Sequence, residues 1–137
     1  MTEVNSNDTR TRQETLERGE RVRREVLGDA HVEASLENAT AFARPIQELV
    51  TEYCWGVVWG GDELPRATRS LVNLAMLTVL NRPHELAIHV RGAINNGVLP
   101  SEIQAVLMQT AIYAGVPASL DSFRIAQRVL VELGHDV

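Results

Sequence analysis

A chain of 137 residues with a hydrophobic fraction of 45% is long enough for one domain with a substantial core and too short for two. A formal net charge of −5 without a clustered basic face argues against a nucleic-acid partner, and the longest uncharged apolar run, Leu71–Leu80, is about half of what a membrane-spanning helix requires. All 13 basic residues are arginine, which excludes Schiff-base chemistry, a lysine-held pyridoxal phosphate and a lysine general base, and leaves guanidinium forks to grip any carboxylate.

Residues 1–11 are polar and aperiodic and read as a disordered tail, so that residues 12–137 form a single domain. Met1–Gln13 lacks the basic, apolar and small-residue series of a secretory signal, and a cytoplasmic location is expected. A first helix is predicted over Gln13–Leu27, with Leu16, Val22, Val26 and Leu27 on a sparse apolar side and Gly28-Asp29 as its stop. Arg18, Arg21, Arg23 and Arg24 form a local basic group on it, read as solvated or ion-paired. The segment Ala30–Ala43 is ambiguous.

A second long helix is predicted from Pro45 to the Gly60-Gly61 break, carrying Ile46, Leu49, Val50, Tyr53, Cys54 and Val57 at helical spacing. The lone Cys54 can form no intramolecular disulfide, no CxxC pair and no cysteine metal cluster, and reads as a small apolar residue. Pro65, Pro83, Pro100 and Pro117 open four further helices, reaching Leu80, Gly97, Gly115 and Gly134. No segment alternates with period two, so the fold class is all-α, a bundle of about six helices. Leu71, Leu74, Met76, Leu77, Val79 and Leu80 cover most of one helix, as do Ile103, Val106, Leu107 and Ile112 on a later one. Burial between subunits is the economical solution, and a homo-oligomer is predicted.

Within the second of these proline-opened stretches, Glu85 and His89 stand four residues apart on one helix face, between hydrophobic helices that place them in a partly buried space. Two proton-transferring groups in such surroundings suggest an acid/base site. His31, His84 and His135 fall near predicted helix ends and read as surface residues.

The segments Arg23-Arg24-Glu25-Val26-Leu27-Gly28-Asp29-Ala30-His31-Val32, Tyr53-Cys54-Trp55-Gly56, Arg66-Ala67-Thr68-Arg69-Ser70-Leu71, His89-Val90-Arg91-Gly92-Ala93 and Gln109-Thr110-Ala111-Ile112-Tyr113-Ala114-Gly115-Val116-Pro117-Ala118 occur in this order. Together they make the chain resemble the gamma-carboxymuconolactone decarboxylases from about Arg18 to Leu133. The resemblance implies an alkylhydroperoxidase-like (AhpD-like) all-α fold, a hexameric ring, and decarboxylation of 4-carboxymuconolactone to the enol-lactone of 3-oxoadipate in protocatechuate catabolism. No cofactor and no metal are implied, because the lactone carbonyl is itself the electron sink. The partner is a small anionic lactone.

On that resemblance, His89 is the expected general acid, with Glu85 orienting it or relaying its proton. Arg69 is the first choice for a substrate carboxylate, Arg91 a second on a different face from His89. Tyr53, Trp55 and Trp59 are expected to wall the pocket. Each has a plainer alternative: an interior histidine, a solvated first-turn glutamate, a structural ion pair, core aromatics. The disulfide chemistry of the alkylhydroperoxidase relatives is excluded, since Arg82 and Glu85 occupy the positions of its CxxC. Two rivals stay open: a related decarboxylase or ring-modifying enzyme acting on another lactone or keto acid in a biosynthetic pathway, and a helical oligomer that binds without turnover. The Trp59–Pro65 connection is where the chain departs from the decarboxylase pattern.

Overall fold

The computed structural model describes residues 9–137; most of the tail assigned to residues 1–11, namely residues 1–8, lies outside the described residues. The described chain is all-α. Its elements are α1 (Arg12–Leu27), α2 (Asp29–Glu37), α3 (Arg44–Leu49) running directly into a π-helical segment (Val50–Val58), α4 (Arg66–Val79), α5 (Pro83–Asn95), α6 (Pro100–Ala114) and α7 (Val116–Glu132). No helix among the described residues is long and apolar enough to cross a membrane.

Local chemistry explains most of the boundaries. Thr11 caps α1 by accepting the Glu14 N–H on its hydroxyl, and Gly28, at φ 91°, ends the helix by donating its own N–H to the Arg24 carbonyl. Pro83 and Pro100 stand first in α5 and α6, where a missing N–H costs no hydrogen bond. The ambiguous segment after Ala30 contains α2, a helix that buries only Val32 and therefore shows almost no periodicity. It is the helix by which the observed seven exceed the expected six.

The long helix expected from Pro45 to Gly60 is helical throughout but changes gauge at Val50. There the bonding becomes i→i+5, as in the Trp59 N–H donating to the Cys54 carbonyl at 2.9 Å. This segment packs on α1 backbone to backbone. A Cβ on Gly19 would lie 1.8 Å from the Thr51 carbonyl oxygen, and one on Gly56 would lie 2.5 Å from that of Thr15. Only glycine fits at either crossing.

Two apolar clusters result. The larger joins α4 to α7 through Leu74, Leu86, Val90, Ile103, Leu107 and Val129. The smaller joins α1 to the π-helical segment through Val22, Val26, Trp55 and Trp59. Helix α5 lies between them: Gly92 approaches Val26 and Leu27, and the Asn95 amide donates to the Val26 carbonyl at 2.8 Å. His89 is thus carried on the helix that joins the two cores.

Helix α6 is apolar on most sides, whereas α4 is more sharply amphipathic than the sequence suggests, and both present apolar residues outward. Val72, Val79, Met108, Ile112 and Tyr113 are exposed, Tyr113 to 86%. Leu71, Val72, Ala75, Val106 and Tyr113 line an open groove of about 560 Å³ between the two helices.

Candidate active site

His89 is fixed by contacts from two other elements. Its ring lies nearly parallel to that of Trp55, 9° between planes and 6.2 Å between centroids, and at 22° and 6.2 Å to that of Trp59. The two indoles are 5.0 Å apart and buried. From α4, the Asn73 amide nitrogen stands 3.4 Å from His89 Nδ1. An amide nitrogen only donates, so Nδ1 accepts and the neutral ring carries its proton on Nε2. Glu85, exposed, lies one turn earlier on α5.

Burial pushes His89 down to about 4, against the opposing pull of the Glu85 carboxylate, while His31 pushes it down further. The imidazole is therefore neutral at pH 7. The effect on stability follows. Between about 4 and the ordinary value near 6.5 the unfolded chain binds the proton that the folded chain refuses, so acidification favours unfolding. Stability from this group is complete above about pH 6.5 and falls by up to about 1.4 kcal/mol per pH unit down to about pH 4. Urea denaturation of wild type and His89→Gln from pH 7 to 4 checks this: the wild type loses more over that interval, and parallel losses would contradict a neutral buried His89.

The other sequence candidates divide. Arg69 lies one turn before Asn73 on α4, hence on the face turned to His89. Its side chain is largely buried, its Nε has no hydrogen-bond partner, and its Nη2 reaches only the exposed Glu63, at 3.6 Å. Trp55 and Trp59 are both core residues, and both rings stack on His89. Arg91 and Tyr53 stand apart. Arg91 pairs with Glu132 of α7, and Tyr53 is 62% exposed on the outer side of the π-helical segment, without a ring contact to either indole.

Two residues outside the predicted set belong with the site. Arg23, read from the sequence as solvated or ion-paired, is 6% exposed and has no carboxylate partner. Its Nη1 donates to Gln47 Oε1 at 2.9 Å and its Nε donates to nothing. Arg24 beside it behaves as expected, bridging Glu20, Asp29 and Glu33. The signal was present: Gly19, Val22, Arg23 and Val26 fall on a single stripe at helical spacing, and all four are buried. His31, read as a surface residue, is half-buried, and its imidazole is pushed down by desolvation, by Arg23 and by His84. His135 is likewise partly buried, whereas His84 is exposed.

Among the described residues, the buried side-chain nitrogens or oxygens without a hydrogen-bond partner are two, and both are guanidinium Nε atoms, of Arg23 and Arg69. Arg23 lies within electrostatic reach of Cys54, at the middle of the π-helical segment, and Arg69 beside Gly61, just past its end. The arrangement offers two desolvated cations, a proton carrier with a defined tautomer and flat aromatic walls, which suits an anion that undergoes proton transfer.

Comparison with known proteins gives a consistent picture. The family model described as the carboxymuconolactone decarboxylase family matches residues 44–128, a span that includes Trp55, Trp59, Arg69, Asn73 and His89. The chain is 41% identical over 122 residues to the 4-carboxymuconolactone decarboxylase of Acinetobacter baylyi, covering 89% of this chain and 91% of that protein. It is also 41% identical over 118 residues to the nitrosuccinic acid decarboxylase npaB of Metarhizium robertsii, covering 86% of this chain and 82% of that protein.

Proposed function

The chain belongs to the carboxymuconolactone decarboxylase family, and from that we propose that this decarboxylase acts without a cofactor on 4-carboxymuconolactone, giving the enol-lactone of 3-oxoadipate in the cytoplasmic breakdown of protocatechuate. The observation that carries the reading is the pair of guanidiniums, Arg23 and Arg69, whose buried Nε–H groups have no hydrogen-bond partner. 4-Carboxymuconolactone bears two carboxylates, and nitrosuccinic acid does as well.

The reaction breaks the bond between the ring carbon and one carboxylate. Its electron pair moves through the ring double bond to the lactone carbonyl, carbon dioxide leaves, and a dienolate is formed. A proton added at the alpha carbon completes the product. No external electron sink is required, and the chain supplies the remaining needs: cations for the carboxylates, a donor for the carbon and aromatic walls against water. Removal of solvent from the departing carboxylate favours its loss as neutral carbon dioxide.

His89 must be protonated to donate, yet it is neutral in the empty site. A dianionic substrate resolves this, since a negative charge beside a buried imidazole raises its proton affinity. Substrate and proton then enter together. On protonation Nδ1 becomes a donor, and Asn73 can answer by turning its amide oxygen towards it; a side chain with both a donor and an acceptor serves both states. Glu85, at the open end, is placed to return the proton to His89 from solvent.

A second reading has a particular observation behind it. Residues of the connection that departs from the decarboxylase pattern bear on Arg69, with Gly61 beside its guanidinium and Glu63 as its ion-pair partner. A changed anchor suits a changed acid, such as a nitro-substituted dicarboxylate or a keto acid of a biosynthetic route. The exposed apolar faces of α4 and α6 are further proposed as contacts between copies of the chain in a hexamer, with a trimer as the alternative.

An ultraviolet assay of metal-stripped protein separates the readings. Turnover of 4-carboxymuconolactone with kcat/KM above roughly 10⁴ M⁻¹s⁻¹ is expected. Turnover of nitrosuccinate alone would establish the second reading, and turnover of neither would end both. In the same assay Arg69→Ala is expected to raise KM by at least tenfold, the scale of a lost charge-assisted contact. An unchanged kcat/KM would return Arg69 to its ion pair with Glu63.

A further inference from the structure

Arg23 is a charge in the wrong place for a structural residue. It follows Val22 and stands one turn before Val26, both members of the smaller apolar cluster, is 6% exposed, and has a neutral amide, Gln47, as its hydrogen-bond acceptor. A buried guanidinium without a counter-ion is costly, and replacing it with an apolar side chain is usually neutral or favourable to stability. The groups felt around it add no negative charge. Burial raises the Cys54 thiol against the opposing pull of Arg23, so that Cys54 brings no thiolate, and Arg23 is close enough to His31 to disfavour its imidazolium. His31 in turn acts on His89.

We infer that Arg23, with His31 at its side, is an anion subsite that receives the carboxylate retained by the substrate, while Arg69 holds the opposite end of the molecule. The inference rests on the dicarboxylate reading above and extends it to a residue outside the family-matched span 44–128. The geometry is specific. With Nη1 occupied by Gln47 and Nε free, the guanidinium retains an N–H edge for one carboxylate oxygen or a bidentate pair. The anion supplies the missing counter-charge, so the empty site is the less stable form and binding is the more favourable for it. The subsite thus selects dicarboxylates over monocarboxylates of the same length.

The test measures binding, so that it stands apart from turnover. Succinate and butyrate serve as probes in calorimetric titrations of the full chain, with wild type, Arg23→Met and Arg23→Lys, and each protein's Tm is recorded without ligand. Wild type is expected to bind succinate at least tenfold more tightly than butyrate. Arg23→Met is expected to lose that preference while melting at or above the wild-type temperature, because an uncompensated charge has been removed. Arg23→Lys is expected to keep part of the preference, having the charge without the fork.

The inference is overturned if wild type fails to prefer succinate, if Arg23→Met binds succinate as wild type does, or if both variants melt well below wild type, which would make Arg23 a structural residue. A chain that binds succinate through Arg23 but turns over neither acid loses the proposed reactions and keeps the subsite. One that turns over normally while Arg23→Met still prefers succinate loses the subsite alone.

Discussion

Replacing His89 with alanine will lower kcat by on the order of 10²- to 10⁴-fold, the range of a lost general acid, with a much smaller change in KM. The expectation rests on geometry: His89 is the imidazole stacked by two buried indoles and fixed by Asn73, and its Nε2 has no partner among the described side chains. The substitution also vacates space against Trp55 and Trp59, so some stability is lost. Circular dichroism and a melting curve separate that loss from the chemistry. Steady-state kinetics within threefold of wild type, on a folded protein, would remove His89 from the mechanism and turn attention to Glu85 as the donor.

The largest structural effect will come from Gly19→Ala, which adds one methyl group. The new carbon would lie 1.8 Å from the Thr51 carbonyl oxygen and 3.0 Å from the Gly56 nitrogen, and both obstacles are backbone. No rotamer change relieves such a contact, so α1 must lift away from the π-helical segment. Ordinary overpacking costs about 1–3 kcal/mol, and a backbone clash at a helix crossing will lie at or beyond the upper end. Since Val22 and Val26 are carried on the same helix and pack on the indoles, activity will fall with stability. Denaturant titration gives the number; a loss below 1 kcal/mol would mean that the two elements are not in backbone contact.

How far this fold could be read from its residues depended on whether the signal was local. Proline openings and glycine stops are local, and the helices they bracket lie within two or three residues of the predicted ends, as with Pro100 and Gly115 for α6. Helix α2 was missed because a short helix burying one valine has no stripe to detect. The π-helical gauge has no local signal, because apolar spacing near four residues fits either helix, and the close packing of this segment involves Gly19, 32 residues before Thr51. The placement of Glu85 and His89 one turn apart on a single helix was visible as a spacing. The indole stack on His89 was not, since it joins two elements through tertiary packing. Arg23 was misjudged on composition: among four arginines on one helix, only burial tells the uncompensated one from its ion-paired neighbour Arg24.

The nine residues Val50–Val58 have a consequence for how sequences of this kind can vary in length. In an α-helix each residue turns the chain by about 100°, and a π turn accommodates the extra residue that an α turn cannot. Deleting one residue there would let the segment relax into ordinary α-helix, but every side chain beyond the cut would swing around the axis. Trp59 would leave the His89 ring and the Gly60-Gly61 loop would no longer meet Arg69. The wide helix is thus an insertion that has become indispensable: its side chains are open to exchange, while the number of its residues is not.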